Sequence, residues 1–430
     1  MTRASGRFLI QGGNPLSGEV SPSGNKNAAL PMLAASLLTD QEVVLRNVPR
    51  IEDVASMVRI LKALGAEVHD RGGHTLSVRA RELRDTAIDA ELGRSIRASI
   101  LFAGPMLARS GRVSLPPPGG DVIGRRRVDT HLEALRALGA EVEADGGYRL
   151  KAQKLEGAEI FLDEASVTGT ENALMAAATA GGTTVLRNAA SEPHVQDLCR
   201  FLEGMGARID GIGTNTLIIE GVQGLAGIEH EIPSDHIEVG SFLAAAAATR
   251  GDIRIRKAYP DRLRMILLTL RRLGVETQVA GDEIHLSQRE RLRVRFDLHG
   301  AIPKIDDGPW PAFPADLMSI AIVLATQAEG TVLFFEKMFE SRLFFVDKLI
   351  SMGARLVLSD PHRVVVVGPS QLHGETLESP DIRAGMALLV AALCAEGEST
   401  IRTITQIDRG YERIEEKLQG LGARIERVEE

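Results

Sequence analysis

The sequence predicts an α/β protein with two domains, each built from three copies of one supersecondary unit. Six segments with helical periodicity each run into Leu-Gly or Met-Gly, mostly followed by Ala, a charged residue and an apolar residue. The glycines of the six copies are Gly65, Gly139, Gly206, Gly274, Gly353 and Gly422. Their spacing of about 70 residues is too long for the common solenoids but suits βαβ-type units. The chain has 430 residues, enough for two or three domains, so six copies favour two domains of three copies each.

Each copy predicts the same order of elements. In the first copy, residues 27–38 are almost wholly apolar, which indicates a helix buried on all sides. Residues 42–46 follow as a strand, residues 54–64 as an amphipathic helix, and Gly65 as a C-cap that needs positive φ before the next strand. Further Ala-rich helices, each leading into a strand, are predicted at residues 173–180, 242–248, 320–325 and 384–395. Three such units arranged about an axis would place the helices inside and the sheets outside. The repeat count puts the boundary between the two domains within residues 221–233.

Composition argues against several classes of protein. The formal net charge is −8 at pH 7 and no basic run contains interleaved aromatics, which argues against nucleic-acid binding. The N-terminal residues lack the apolar core of a signal peptide, and no uncharged apolar run is long enough to span a membrane. Cys199 and Cys394 have no CxxC partner, which is typical of core thiols in a reducing compartment. We therefore expect a cytoplasmic protein without an obligate protein partner.

The segment Ser-Gly-Asn-Lys-Asn at residues 23–27 precedes the first buried helix. Lys26 lies at the predicted helix N-terminus, where the dipole and the free N–H groups favour an anion. The segment is either a phosphate or carboxylate site, or an ordinary N-cap beside an exposed lysine. The segment alone leaves both interpretations open.

A second candidate is the segment of residues 114–131. Three prolines and two glycines predict a surface loop that carries Asp121, and three arginines follow at residues 125–127. Asp129 and His131 come next, at strand or turn spacing. An acidic loop tip beside a basic anion site is typical of an active-site lid, and the alternative is a solvated turn with charged flanks.

Isolated arginines in apolar segments form a third candidate. They are Arg97, Arg342, Arg383 and Arg409. Each is either an ion-pair partner of a nearby acid, such as Asp381 or Asp408, or a fork for a phosphate group. Convergence of all four would favour a polyanionic small molecule. Asp316 follows a proline-rich turn at a helix start, where a helix cap is the default interpretation.

These motifs resemble the enolpyruvyl transferase family over essentially the whole chain, in the family's order and spacing. The matching segments are residues 23–29, 97–99, 115–124, 126–131, 312–316, 339–342 and 407–413. The resemblance implies two inside-out α/β barrel domains, each of three βαβαββ repeats around buried helices. It implies one domain at residues 26–232 with a catalytic loop at 112–131, a second at 1–25 plus 233–430, and an active site in the cleft between them.

The resemblance also implies a reaction. Phosphoenolpyruvate would donate its enolpyruvyl group to the 3-hydroxyl of UDP-N-acetylglucosamine by addition–elimination, the first committed step of peptidoglycan synthesis, with no metal and no cofactor. The basic positions that match phosphoenolpyruvate contacts are Lys26, Arg97, Arg126, Arg342, Arg383 and Arg409. Asn27 and Asp316 match sugar-binding positions, with Asp316 as the proposed base. Arg126, Asp129 and His131 match the uridine-diphosphate side. Asp121, Lys26, Asp316 and Arg409 match the catalytic positions.

The chain departs from the usual family pattern at several positions. Asp121 stands where most members have a cysteine, and a carboxyl group can act as the acid if burial raises its pKa. Because a carboxylate would not be alkylated as a thiolate is, the protein should be insensitive to the epoxide antibiotic fosfomycin. Glu164 replaces a common lysine, His236 a common arginine and Trp310 a common histidine.

Two alternatives stay open at this point. The same transfer could use another nucleotide or sugar acceptor, or the chain could be a non-catalytic paralogue that binds a UDP-sugar. Turnover assays with several acceptors distinguish the first alternative, and binding without phosphate release would support the second.

Overall fold

A computed structural model describes residues 6–121 and 123–429. Its secondary structure is mixed α/β, as predicted, with strands and helices alternating along the chain. None of the helices in this described part is long and apolar enough to cross a membrane.

Most strands are short. In chain order they are β1 (Gly6–Gln11), β2 (Ser17–Val20), β3 (Glu42–Arg46), β4 (Glu67–Gly72), β5 (Thr75–Arg79), β6 (Arg112–Leu115), β7 (Glu141–Ala144), β8 (Tyr148–Lys151), β9 (Glu159–Phe161), β10 (Thr183–Arg187), β11 (Arg208–Asp210), β12 (Thr216–Glu220), β13 (Ile228–Glu231), β14 (Asp252–Ile255), β15 (Gln278–Ala280), β16 (Glu283–Ser287), β17 (Lys304–Asp306), β18 (Gly330–Phe335), β19 (Leu356–Asp360), β20 (Arg363–Gly368), β21 (Thr376–Glu378), β22 (Glu398–Arg402) and β23 (Arg424–Glu429).

The helices are of two kinds, Ala-rich buried helices and amphipathic ones. In chain order they are α1 (Lys26–Ala35), α2 (Glu52–Ala63), α3 (Ala90–Ser95), α4 (Ala103–Ser110), α5 (Asp129–Ala137), α6 (Val167–Ala177), α7 (Pro193–Gly204), α8 (His236–Ala248), α9 (Arg264–Arg272), α10 (Met318–Thr326), α11 (Val346–Ser351), α12 (Ile382–Cys394), α13 (Thr405–Asp408) and α14 (Ile414–Gly420).

The contacts divide the described residues into two compact units. The first-half unit comprises residues 24–121 and 126–233, and the second-half unit comprises residues 6–23, 123–125 and 234–429. Each unit has its own cluster of buried apolar side chains, so each can be stabilised by its own core.

In the first-half unit, the described strands form three sheets, with the orders β13-β3-β5-β4, β11-β12-β10-β9 and β6-β8-β7. Helix α6 packs against β10 and β12, and α4 packs against β6 and β8. In α1 every residue except Asn27 is buried. The apolar run at residues 27–38 therefore forms a helix that is enclosed on nearly all sides, as predicted, and it ends in a 3₁₀ turn at Ser36–Leu38.

The second-half unit repeats this plan, again with three sheets among its described strands. Their orders are β21-β22-β1-β23, β15-β16-β14-β2 and β17-β18-β20-β19. Helices α8, α10 and α12 pack against one another, and each also packs against two strands of one sheet. Every residue of α8 and of α10 is buried, which explains why neither has a polar face.

The six repeated glycines all lie where they were predicted, just after amphipathic helices. Their φ angles are 101° at Gly65, 100° at Gly139, 108° at Gly206, 91° at Gly274, 98° at Gly353 and 89° at Gly422. A residue with a Cβ is strained in this left-handed region, so glycine allows the chain to leave each helix and enter the next strand. The repeated helix–glycine–strand pattern is thus confirmed.

Candidate functional site

Most predicted site residues lie in the first turn of a helix. Those in α-helices are Lys26 and Asn27 in α1, Asp129 and His131 in α5, and Arg383 in α12. Those in 3₁₀ helices are Arg97 in Arg97–Phe102, Asp316 in Ala315–Leu317 and Arg342 in Arg342–Phe345. Because helix N-termini present free N–H groups and a positive dipole end, this common placement suits anionic substrates.

Lys26 is buried rather than exposed. Its Nζ lies 2.7 Å from Oδ2 of Asp53, and the two side chains are only 10% and 6% exposed. Asp53 is in the first turn of α2, and Asn25 caps α1 by accepting a hydrogen bond from Ala28 N–H. The interpretation of Lys26 as an exposed lysine beside a cap is therefore wrong, and its charge is held at a fixed point.

Arg97 and Arg126 bring two like charges close together. Burial lowers the pKa of Arg97 to about 10, and the positive charge of Arg126 contributes to that shift. The Nη2 of Arg97 donates to the carbonyl oxygen of Arg127 at 2.7 Å. Because the charge of Arg126 disfavours the protonated form of Arg97, a bound anion would be stabilised near these two guanidinium groups.

Asp121 follows a pair of glycines that the backbone requires. An added Cβ on Gly119 would lie 1.7 Å from the carbonyl oxygen of Arg94, and Gly120 has a φ of 105° with Arg97 Cβ within 2.9 Å of such a Cβ. The loop therefore passes directly against the segment that carries Arg97. Asp121, which is half-buried, directly follows this close passage.

Different parts of the loop predicted at residues 112–131 belong to different units. Residues 123–125 cluster with the second-half unit, whereas the flanking residues cluster with the first-half unit. Within the second-half unit, Ser341 N–H donates to the carbonyl oxygen of Ile123 at 3.1 Å, and Arg125 N–H donates to Oε2 of Glu340 at 3.2 Å. The short segment is thus anchored through its backbone.

His131 is fully buried, in a helix rather than in the strand or turn that its spacing predicted. Its Nδ1 lies 2.8 Å from Nδ2 of Asn172 and its Nε2 lies 3.1 Å from Oγ1 of Thr168. Burial lowers the pKa of His131 to about 3, with a further contribution from Arg97, so the ring is neutral at physiological pH. These contacts suit a side chain that orders the first turns of α5 and α6.

Asp129 is exposed at the start of α5 and shares an arginine with another acid. Arg127 Nε lies 3.2 Å from Oδ2 of Asp129, and Arg127 Nη2 lies 2.8 Å from Oδ2 of Asp163. Thr130 Oγ1 donates to Oδ1 of Asp163 at 2.7 Å. Asp163 was not singled out in the sequence, and it links Arg127 and α5.

The second-half unit gathers three predicted residues around one carboxylate. Oδ2 of Asp316 accepts from Nε and Nη2 of Arg383 at 3.0 and 2.8 Å, and Oδ1 accepts from Nη2 of Arg342 at 3.3 Å. Both arginine side chains are almost completely buried, whereas that of Asp316 is 28% exposed. Asp316 is therefore not a helix cap, contrary to the default interpretation, and its exposed edge lies between two cations.

Neighbouring groups complete this cluster. Burial lowers the pKa of Arg383, but Asp316, Tyr411 and Asp235 together outweigh burial and raise the pKa overall. The Arg383 guanidinium lies 5.3 Å from the ring centroid of Tyr411, whose hydroxyl is 3.0 Å from Oγ of Ser241. Burial also lowers the pKa of His236 and favours the neutral ring there.

The short-range ion pairs suggested by the sequence are wrong. Asp381 does not pair with Arg383 as an ion pair but caps α12, accepting from the backbone N–H groups of Arg383 and Ala384 at 2.8 and 2.9 Å. Asp408 pairs with Arg427. Arg409 follows α13, where its Nη1 donates to Oε1 of Gln406 at 3.0 Å.

The three departures other than Asp121 lie in different settings. Glu164 is exposed and contributes a small upward shift to the pKa of Arg97. His236 opens α8, and Trp310 is half-buried in the turn before Asp316. Among the described residues, no group of three or more His, Cys, Asp or Glu side chains could hold a metal ion.

Comparisons with known proteins agree with the motifs. The family described as EPSP synthase (3-phosphoshikimate 1-carboxyvinyltransferase) matches residues 10–418. Two relatives are named UDP-N-acetylglucosamine 1-carboxyvinyltransferase. The one from Bradyrhizobium diazoefficiens is 57% identical over 99% of this chain and 98% of its own length. The one from Treponema denticola is 54% identical over 97% and 98%.

A solved structure has the same fold over nearly the whole chain. The enolpyruvyl transferase NikO from Streptomyces tendae superposes with a TM-score of 0.87 at 28% identity, covering 99% of both chains. The resemblance inferred from the motifs is confirmed. The chain belongs to the EPSP synthase family of enolpyruvyl transferases.

Proposed function

We propose that the protein transfers the enolpyruvyl group of phosphoenolpyruvate to the 3-hydroxyl of UDP-N-acetylglucosamine and releases phosphate. Two full-length relatives that carry the name of this reaction are 57% and 54% identical to the chain, and they support this acceptor over others. The reaction would place the protein in the cytoplasm, at the first committed step of peptidoglycan synthesis. The hypothesis of a non-catalytic paralogue is set aside, because the matching family and the full-length relatives are carboxyvinyltransferases.

The observation that carries the proposal is the cluster of Asp316 with Arg342 and Arg383. A carboxylate held by two buried guanidinium groups is oriented and ionised, as a general base must be. In the proposed reaction, Asp316 takes the proton of the sugar 3-hydroxyl. Binding of an anionic substrate to the arginines would weaken their hold on the carboxylate and increase its basicity.

The remaining residues take roles in the same scheme. Asp121 protonates C3 of phosphoenolpyruvate, and the sugar oxygen attacks C2 to give a tetrahedral ketal. The ketal then expels phosphate while the new C3 methyl group loses a proton to a base, which forms the double bond of the enol ether. Lys26, Arg97, Arg126 and Arg409 stabilise the phosphate and carboxylate charges, which change most between the substrates and the intermediate. Asn27 and Asp129 orient the sugar nucleotide.

His131 has a different role in this proposal. Because its ring nitrogens already contact Asn172 and Thr168, we assign it to positioning the first turn of α5, which carries Asp129, rather than to direct proton transfer. We also propose the finer architecture, in which each unit is an inside-out barrel of three repeats.

The test is phosphate release by the purified protein with phosphoenolpyruvate and UDP-N-acetylglucosamine, beside the Asp121→Asn variant. We expect turnover by the parent, a loss of at least about 100-fold in the variant, and a UDP-sugar product that carries the enol ether. Turnover with another nucleotide sugar alone would replace the acceptor. Equal rates in both proteins would remove Asp121 from the role of acid.

A further inference from the structure

Two buried carboxyl groups, those of Asp307 and Glu336, lie close to Arg342 and have no role in the proposed reaction. Asp307 directly follows β17 and Glu336 directly follows β18, and they are 2% and 0% exposed. Strands β17 and β18 run parallel with Asp306 opposite Phe335. The next residue of each strand is therefore brought beside the other, which explains how two acids come together inside the unit.

One oxygen of each carboxyl group is satisfied by the backbone. Oε1 of Glu336 accepts from the N–H groups of Met338 and Phe339 at 3.2 and 3.1 Å. Oδ1 of Asp307 accepts from the N–H of Lys337 at 2.6 Å. These bonds tie both carboxyl groups to the turn that leads from β18 toward Arg342.

The second oxygen of each group faces a different situation. Oε2 of Glu336 and Oδ2 of Asp307 receive no hydrogen bond from any donor among the described residues. The two carboxyl groups lie at neighbouring ends of paired strands, and Asp307 raises the pKa of Glu336. Two ionised carboxylates in this position would repel each other in a low dielectric, whereas one proton between them removes the repulsion and supplies the missing donor.

The surroundings decide which charge state is favoured. Burial and the neighbouring Asp307 together raise the pKa of Glu336 to about 9, although Arg342 acts in the opposite direction. Arg342 Nε lies 4.0 Å from Oε2 of Glu336. Two other titratable groups lie nearby. A ring nitrogen of His362 lies 2.7 Å from the backbone carbonyl oxygen of Glu336. The ammonium group of Lys337 pairs with Asp306.

We propose that Asp307 and Glu336 share one proton and that this pair positions Arg342. With Glu336 neutral, the guanidinium group of Arg342 stays directed at Asp316 and, on the proposed function, at the anionic substrate. An ionised Glu336 would compete with Asp316 for the same guanidinium group. Glu336 is thus a positioning residue that acts through Arg342.

The stability arm of the test does not depend on the reaction. A carboxyl group with a raised pKa in the folded state keeps a proton that the unfolded chain releases, so stability falls as pH rises from about 4.5 to about 9. Glu336→Gln cannot release that proton. We expect its urea midpoint, relative to the parent, to rise steadily between pH 5 and pH 8. Glu378→Gln, an exposed control on β21, should show no such trend.

The kinetic arm tests positioning. For the parent, kcat/KM for phosphoenolpyruvate should fall as pH rises through about 9, which gives its pH profile an alkaline limb. In Glu336→Gln this alkaline limb should shift to higher pH or disappear. A flat stability difference between pH 5 and pH 8 would overturn the shared proton, and an unchanged limb would overturn the positioning role. If Glu336→Gln does not fold, Asp307→Asn replaces it with a different expected result. Its neutral amide can donate to an ionised Glu336, so the pKa of Glu336 should fall, the decline of stability should end at a lower pH, and the alkaline limb should move to lower pH. Failure of the parent to turn over would count against the proposed function alone.

Discussion

Lys26 and Asp53 form a buried ion pair, with Nζ and Oδ2 2.7 Å apart. The ammonium group lies in the first turn of α1, and the carboxylate lies in the first turn of α2. This pair compensates the charge of Lys26 when no substrate is bound. An arriving phosphate or carboxylate would take over part of that compensation.

Replacing Asp53 by Asn should therefore have an effect that depends on ligand. Without ligand, the buried ammonium group loses its counter-charge, and we expect the unfolding free energy to fall by roughly 3 kcal/mol. With saturating phosphoenolpyruvate the deficit should shrink, because the anion replaces the lost charge. Denaturation with and without phosphoenolpyruvate measures both values.

The matched control is Glu52→Gln. Glu52 is the preceding residue of α2 and pairs with Arg59, with both side chains at least 30% exposed. An exposed pair contributes at most about 1 kcal/mol, so this variant should differ little from the parent under both conditions. An equal deficit of Asp53→Asn with and without phosphoenolpyruvate would contradict a role of Lys26 in anion binding.

The two-point contact between Arg383 and Asp316 predicts that lysine cannot replace this arginine. Lys has no planar fork, so Arg383→Lys would leave Asp316 with one fewer charged hydrogen bond and less fixed in orientation. A charged hydrogen bond is worth about 1.5–3 kcal/mol, which corresponds to a loss of roughly 10–100-fold in kcat/KM. Steady-state kinetics provide the measurement.

Arg363→Lys is the control for that experiment. Arg363 pairs with Asp360 on the exposed β19–β20 hairpin, where its side chain is 48% exposed. Its replacement should leave kcat/KM close to the parent value. If Arg383→Lys retained full activity as well, the fork would not be needed to orient the base.

The aspartate at position 121 predicts that the protein is resistant to fosfomycin and that a cysteine at this position would make it sensitive. A carboxylate is a weak nucleophile toward the epoxide, whereas a cysteine thiolate is a strong one. We expect the parent to keep its activity after prolonged incubation with fosfomycin, and Asp121→Cys to lose it with time. Mass spectrometry of the variant should show one covalent adduct. Rapid inactivation of the parent would contradict the prediction.

Local patterns in the sequence predicted the repeated unit well. A glycine after an amphipathic helix is needed for the left-handed turn, and all six copies, from Gly65 to Gly422, adopt it. The Ala-rich runs also predicted helices α8, α10 and α12, because a helix without a polar face must be buried. These properties depend only on neighbouring residues.

The partners of the charged residues depend on the tertiary fold and were not predictable in this way. Arg383 contacts Asp316, 67 residues away, although Asp381 is only two residues away. Asp381 was unsuitable as an ion-pair partner because its side chain is occupied by capping α12. Likewise, nothing near Lys26 in the sequence points to Asp53, which has the pattern of an ordinary acid in a helical first turn.

His131 provides the last prediction, a dependence of stability on pH. Its pKa is about 3 in the folded protein and near 6.5 in the unfolded chain, so between these values the unfolded chain binds the additional proton. Stability should therefore rise with pH across this window, by about 1.4 kcal/mol per unit for this residue, and become flat above pH 6.5. His131→Gln removes the titration, so its stability relative to the parent should increase as pH falls from 7 to 5. His69→Gln, at an exposed position on β4, is the control and should not change the slope of stability against pH. If the stability of His131→Gln ran parallel to that of the parent over this pH range, the buried ring would not oppose protonation.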